Sequence, residues 1–518
     1  MPDDQLSNVL QHRFGFSQFR FHQEAIIRSV LAGSDVMAIM PTGGGKSICY
    51  QLPALMLDGI TIVISPLIAL MKDQVDGLKA NGIAAAFLNS SQSAREQEQI
   101  REQLKKGAIR LLYIAPERLF GGDQGFFSVL KSLPVALFAI DEAHCISQWG
   151  HDFRPEYLRL AAFKEHFPQV PVIALTASAD KITQQDILEK LRLRSPRVFV
   201  SSFNRPNIHY FIQPKKQAMQ QIADYLHTHA DSSGIIYALS RAGTEDIAHA
   251  LRSMGFIAAH YHAGLSNEEK NRVQESFKKD DLKIIVATIA FGMGIDKPNV
   301  RFVMHYDVPK NMEGYYQETG RAGRDGLKSD AILYYSAGDI MKLQNFISIE
   351  GNPEQTAVLS RKLFKMKDFA ETQSCRRQFI MDYFGEEFPP ICGSCDFCLS
   401  HVDQENVTIP AQKFLSAIYR TGERFGSDYI IDFLRGSSNS KIQEHHKSLK
   451  TYGIGKDLRK EVQSMLCGVG SPIVHISASL GRPFLIRSTP FMMPSRRSLM
   501  GFSSFSATSL TFGMSFAT

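Results

Sequence analysis

Apolar, β-branched runs recur along the first two thirds of the chain, separated by stretches of helical spacing. Val36–Met40, Thr61–Ser65, Ile109–Ala115, Val135–Asp141 and Val170–Thr176 form one set, and Gly234–Leu239, Lys283–Ala290, Val300–Tyr306 and Ala331–Tyr335 a second. The runs are continuous rather than alternating, which is the pattern of strands buried on both faces. Such strands interleaved with helices predict parallel sheets built from βαβ units. Two sets predict two doubly wound α/β domains, divided where the Asn-Arg-Pro-Asn stretch within Phe203–Asn207 breaks the pattern. After Ser336 the strands stop. Residues 337–374 read as charged helix and a cysteine cluster follows. His401–Pro410 reads as a linker, and residues 411–467 as a small helical unit with a Gly-rich turn at Tyr452–Lys456.

These shifts place domains at 1–205, 206–336, 337–402 and 403–467, with a tail at 468–518. That agrees with the three or four domains that 518 residues imply at about 150 residues each. The tail is rich in Ser, Phe and Met and follows no periodicity that would bury those side chains on one face, so it is expected to be poorly ordered. It also distorts the charge: its four Arg, with no Lys, Asp or Glu, account for the difference between +6 for the chain and +2 for residues 1–467. Overall basicity is therefore weak support for a nucleic-acid partner, and any such claim rests on local patches. The absence of a long apolar run argues against a membrane helix and any membrane partner. The N-terminal MPDDQLSNVL does not read as a secretory signal. Seven Cys are too few for a disulfide scaffold, so a reducing, cytoplasmic setting is expected.

Pro41-Thr42-Gly43-Gly44-Gly45-Lys46-Ser47 follows one strand run and precedes a helical one. That context suits a phosphate loop, whose glycines let backbone N–H groups surround phosphates at a helix N-terminus. Thr42, Gly43, Gly44 and Gly45 would form the cradle for ATP. Lys46 would reach the β- and γ-phosphates, and Ser47 would hold Mg²⁺. Met40 stands where the general pattern has Gly. Asp141-Glu142-Ala143-His144 ends another strand run; Asp141 suits the Mg²⁺ shell, and Glu142 the activation of a water. Gln317 through Gly326, with Arg321 and Arg324 three apart, suggests a helix face that brings cationic charge to the γ-phosphate.

Taken together these motifs resemble superfamily 2 helicases, and more narrowly the RecQ family of DNA helicases. The resemblance runs in order from Phe14 to about Lys460. Ser65 through Gln74 and Thr288 through Val300 match two further family motifs, while Thr176-Ala177-Ser178 and Ala238 depart mildly from the usual residues. The resemblance implies two tandem RecA-like domains, a helical zinc-binding subdomain and a partial winged helix. It implies that Gln23 reads the adenine edge, with Phe16 stacked on the base and Arg20 beside it. It adds His144 and Gln317 to the catalytic set of Lys46, Asp141, Glu142, Arg321 and Arg324.

The chain's one Trp, Trp149, lies in a loop directly after the acidic motif, with His151, Phe153 and Arg154. Aromatics offer π-faces to unstacked bases, and Arg adds phosphate contact. The family resemblance makes this loop the element that couples single-strand binding to hydrolysis. Cys375, Cys392, Cys395 and Cys398 carry the spacing of a tetrahedral Zn²⁺ site; an iron–sulfur cluster is the competing occupant. The family's zinc subdomain has the same spacing. Beyond Glu461 the resemblance ends, and the strand pair that would complete the wing is not recognisable.

The expected function is an ATP-dependent 3′-to-5′ DNA helicase in recombination and repair, using ATP, Mg²⁺ and Zn²⁺. Its expected partners are single-stranded and forked duplex DNA, with a single-strand-binding protein as a candidate and a monomer as the working form. Two other readings compete: a single-strand-stimulated ATPase that unwinds poorly for want of a wing, and a non-enzymatic DNA-binding remnant.

Overall fold

The continuous apolar runs become the inner strands of two parallel sheets. The computed structural model describes residues 3–66, 68–89, 92–121, 126–150, 152–292, 297–347, 353–400, 408–438, 441–456, 475–478 and 482–485. The first sheet has seven strands: β1 (Val36–Ile39), β2 (Ile60–Ile64), β3 (Ala85–Leu88), β4 (Leu111–Ile114), β5 (Val135–Ile140), β6 (Val172–Thr176) and β7 (Arg197–Val200). They lie in the order β3-β4-β2-β5-β6-β1-β7, all parallel. The second sheet has six: β8 (Ile208–Pro214), β9 (Ser233–Tyr237), β10 (Ala258–Tyr261), β11 (Ile284–Ala287), β12 (Val300–His305) and β13 (Ser329–Tyr335). Their order is β10-β11-β9-β12-β13-β8, again all parallel.

The four strands absent from the apolar-run reading, β3, β7, β8 and β10, are the four sheet edges. An edge strand is only partly covered, so its residues need not be uniformly apolar. β7 is mostly exposed and β8 mostly half-buried, whereas β1, β2, β4, β9 and β11 are buried at every position.

The cysteine-bearing region is helical: Pro353–Glu371, Arg376–Phe384 and the short Asp396–Leu399. It covers the β8 edge. The Ile212 N–H donates to Asp396 Oδ2 at 2.9 Å, and Arg377 donates to the Ile208 carbonyl at 2.7 Å. Open backbone groups that would otherwise invite a foreign strand are thus satisfied within the chain. Phe203, from the segment joining the two sheets, stacks on Phe384 with ring centroids 4.3 Å apart, and its carbonyl accepts from the Tyr316 hydroxyl. One apolar cluster therefore includes residues of both sheets and of the cysteine-bearing helices.

The C-terminal unit packs Thr408–Arg420 and Ser427–Arg435 around Phe414, Ala417, Ile430, Phe433 and Leu434. Within the tail, His475–Ala478 and Arg482–Leu485 pair as an antiparallel hairpin. No periodicity in the sequence marks this pair. Four-residue strands that include Pro483 fall below what periodicity can detect. The rest of 468–518, including the Phe and Met residues beyond Leu485, lies outside the described residues.

Candidate active site and nucleic-acid interface

The phosphate loop bridges β1 and the helix Ile48–Met56. Gly43 and Gly45 sit at φ +79 and +75, the left-handed region that side chains avoid. A Cβ on Gly45 would lie 2.4 Å from Gln23 Nε2, and one on Gly44 would lie 2.9 Å from the Pro41 carbonyl. Met40 is a buried strand-end residue whose carbonyl accepts from Lys46 Nζ at 3.3 Å. That position is filled by core packing and does not need a glycine.

Asp141 and Glu142 follow β5, with the Asp141 N–H bonded to the Ile64 carbonyl and the Tyr157 hydroxyl on the Asp141 carbonyl. Glu142 has φ 47, a left-handed backbone unusual for a non-glycine residue and typical of strain held at functional sites. Burial, with Glu142 beside it, raises Asp141 to about 7, while Lys46 opposes the shift. Burial likewise lowers the pKa of Lys46, opposed by Glu142 and Asp141. The Thr42 hydroxyl oxygen is buried without a hydrogen-bond partner. A stripped glycine cradle, an orphaned hydroxyl and two crowded carboxylates fit a triphosphate with a divalent cation. His144 is buried, with Nδ1 2.9 Å from Thr176 Oγ1 and 3.3 Å from Glu142 Oε2. It joins the acidic motif to the end of β6, where Thr176-Ala177-Ser178 stands.

Arg321 and Arg324 do not share a helix face. The helix Met312–Thr319, which carries the half-buried Gln317, ends before them, and both lie in the turn that follows. The helix ends at the Gly320 cap, and Gly323, at φ +58, turns the chain three residues later. Arg321 turns inward, buried, with its guanidinium on the Gly292 carbonyl. Arg324 faces the phosphate loop: a Cβ on Gly43 would lie 3.3 Å from Arg324 Cγ. The fifth motif is described only in part, since residues 293–296 lie outside the described residues.

Sequence reasoning missed Arg205, in the segment between the sheets. Its Nη1 donates to the Thr42 carbonyl at 2.8 Å and the Gly320 carbonyl at 3.2 Å. Its Nη2 donates to the carbonyls of Ala322 at 3.0 Å and Gly323 at 3.2 Å. One guanidinium fork thus ties the phosphate loop of the first sheet domain to the turn that carries Arg324 in the second. The Asn-Arg-Pro-Asn stretch reads in the sequence as a boundary, and the Arg within it is the available signal.

Gln23 is buried, and its amide donates to the carbonyls of Gly44 and Gly45 at 3.2 and 3.0 Å. Its Oε1 accepts from the Arg20 N–H at 2.8 Å. Gln23 therefore abuts the phosphate loop directly, while Arg20 and Phe16 are exposed.

In the aromatic loop, Trp149, Phe153 and Arg154 are half-buried, and His151 lies outside the described residues. Arg154 donates to the Pro66 carbonyl at 3.1 Å and to Asp152 Oδ2 at 3.2 and 3.3 Å. One of these bonds pins the loop to the segment after β2, and the other two brace the loop on itself.

The four cysteines converge, with their sulfurs all within 4.8 Å of one another. Cys392 and Cys398 sulfurs are 3.8 Å apart. A tetrahedron with Zn–S bonds of ~2.3 Å has edges of about 3.8 Å, so the donor set fits zinc. A hydrogen bond between the two thiols draws Cys395 down and pushes Cys375 up, so these neighbouring sulfurs share a proton that a bound metal would displace. Cys49 and Cys145 are buried and free, away from this cluster.

Comparison with known proteins matches four families along the chain. They are DEAD/DEAH box helicase at residues 20–187, helicase conserved C-terminal domain at 216–326, RecQ zinc-binding at 337–399 and RQC domain at 401–466. The chain is 50% identical over 455 residues to ATP-dependent DNA helicase RecQ of Pasteurella multocida, covering 88% of this chain and 72% of that protein. It is 49% identical over 456 residues to the protein of the same name from Haemophilus influenzae, covering 88% and 73%. In fold it is similar to the helicase MrfA bound to DNA and AMPPNP, with a TM-score of 0.56 at 17% identity, over 75% of this chain and 59% of that one.

Proposed function

The chain belongs to the RecQ family of ATP-dependent DNA helicases, and from that premise we propose which of its residues perform the reaction. It is an ATP-using DNA helicase with a four-cysteine zinc-binding cluster. In the proposed cycle, the backbone of Thr42–Gly45 and the Lys46 ammonium bind the triphosphate, and Gln23, Phe16 and Arg20 bind the adenine. Ser47 and Asp141 would hold Mg²⁺, which supplies charge neutralisation on the phosphate oxygens. Glu142 orients and deprotonates the attacking water. Arg324 stabilises charge developing on the γ-phosphate from the opposite side. Arg321 supports the turn from its buried place on Gly292, and Gln317 contributes from the preceding helix. His144 passes the state of the acidic motif to Thr176.

Closure and reopening of the two sheet domains, coupled to alternating grip on single-stranded DNA, give 3′-to-5′ stepping. Trp149, His151, Phe153 and Arg154 sense the strand. A forked duplex is the proposed working substrate, the cytoplasm the setting and the monomer the working form, with a single-strand-binding protein as a candidate partner. Among the described residues no helix is long and apolar enough to cross a membrane.

The observation that carries this reading is Arg324 lying over Gly43 of a loop stripped of side chains. Lys46→Ala should abolish single-strand-stimulated hydrolysis while leaving DNA binding largely intact. A steady-state rate above a few per cent of wild type would sink the assignment.

A further inference from the structure

A cleft of about 370 Å³ opens beside the aromatic loop. It is lined by Trp149, Asp180 and Ile182 from the first sheet domain, by Tyr383, and by one face of the helix Pro353–Glu371. On that helix Val358, Arg361, Lys362 and Lys365 recur at i, i+3, i+4 and i+7, so they form a single stripe. Lys362 is the anchor of the stripe. It is buried, paired with Glu313 of the second sheet domain and 3.7 Å from Asp180 of the first. Arg361 and Lys365 flank it and point to solvent. Lys365 is 60% exposed and meets Asp368 only at 3.6 Å. Arg361 has no ion-pair partner among the described residues. Ile182 is 63% exposed on the opposite wall.

We propose that this cleft is a nucleotide pocket for the single strand. One unstacked base packs against Trp149, and its flanking phosphates meet Arg361 and Lys365 of the zinc-binding subdomain. The inference rests on the reading of Trp149 as a strand-sensing residue and extends it to a second wall on another domain. The cleft volume lies low in the ~300–1,000 Å³ range of small-ligand pockets, the size of one nucleotide and too small for a duplex. Aromatic and aliphatic surface beside the two exposed cations Arg361 and Lys365, with the one lining carboxylate, Asp180, facing Lys362, is the composition that binds single strands without reading sequence. Lys362 holds the stripe to both motor domains, so occupancy of the pocket is linked to their arrangement.

Trp149 is the chain's one Trp, so its fluorescence reports on the pocket alone. Titration of the full chain with oligo-dT, without nucleotide, should quench that emission. Arg361→Ala/Lys365→Ala should retain wild-type zinc content and thermal midpoint, yet weaken the quenching titration roughly tenfold at low salt. The slope of log affinity against log salt should fall by about 1.4, or ~0.7 per lost phosphate contact. Quenching with unchanged affinity and slope would overturn the zinc-subdomain wall while leaving the Trp149 reading intact. Absence of quenching in wild-type protein, with strand binding proven by anisotropy, would overturn both.

Discussion

Arg205→Ala removes four contacts at once: to Thr42 on one side, and to Gly320, Ala322 and Gly323 on the other. A hydrogen bond from a charged donor is worth ~1.5–3 kcal/mol. The four share one half-buried guanidinium and the freed carbonyls can rehydrate, so they do not add; about 2 kcal/mol is a fair net loss for the folded state. The larger effect falls on catalysis. The fork hydrogen-bonds Thr42 to a turn that otherwise meets the phosphate loop through packing of Thr42 on Gly320 and of Arg324 on Gly43, and a displacement of roughly 1 Å at a catalytic group costs ~10²-fold. In activation free energy that is ~2.7 kcal/mol. We therefore expect kcat for single-strand-stimulated hydrolysis to fall about a hundredfold, while KM for ATP moves less than about threefold. Lys, a point charge without a fork, should restore only part of the rate. Steady-state kinetics on Arg205→Ala, Arg324→Ala and the double variant test the route. If Arg205 acts through Arg324, the double variant is no worse than Arg324→Ala alone. Wild-type kcat in Arg205→Ala, or fully additive losses, would refute the reasoning.

The acidic motif predicts a pH signature. Asp141 has its pKa raised in the folded state to about 7, so the folded chain holds a proton that the unfolded chain releases near 4. That contribution to stability is full below about 4 and is lost as pH rises through about 7. Calorimetry of nucleotide-free Asp141→Asn should show a higher thermal midpoint than wild type at pH 8, with the gap closing toward pH 4, and no hydrolysis at any pH. A midpoint gap that is independent of pH would refute it. Elemental analysis should find one Zn²⁺ per chain; iron with visible absorbance would contradict the site. Cys395→Ser should lower zinc content and solubility more than nucleotide affinity, because the cluster braces the β8 edge. A chain ending at Cys467 should keep single-strand-stimulated hydrolysis within about twofold, since every proposed catalytic residue lies before His401; a larger loss would give the tail a role in the motor.

What the sequence showed and what it hid divide along physical lines. Inner strands such as β2 and β9 are covered on both faces and so announce themselves as apolar runs. The edges β3, β7, β8 and β10 are covered unevenly, and no run marks them. The phosphate loop and the acidic motif are each a contiguous stretch of sequence, and in the fold Lys46 lies within the charge of Glu142 and Asp141. The paired Arg were legible as residue types and not as geometry. Helical spacing put both on one face, whereas the helix ends at Gly320 and the turn through Gly323 leaves Arg321 inward and Arg324 out. Arg205 was illegible because its partners are backbone carbonyls at positions 42 and 320–323, and a carbonyl carries no residue-type signal. The stripe of Val358, Arg361, Lys362 and Lys365 was visible only as charged helix until Trp149 and Tyr383 were placed beside it.

The most direct test of the account is strand separation itself. Wild-type chain with ATP and Mg²⁺ should displace the labelled strand of a duplex bearing a 3′ single-stranded tail, in steps that require Lys46. A duplex bearing only a 5′ tail should stay paired, as should either substrate with Lys46→Ala. Displacement from the 5′-tailed duplex at an equal rate, or displacement that persists in Lys46→Ala, would contradict an ATP-driven motor stepping 3′ to 5′.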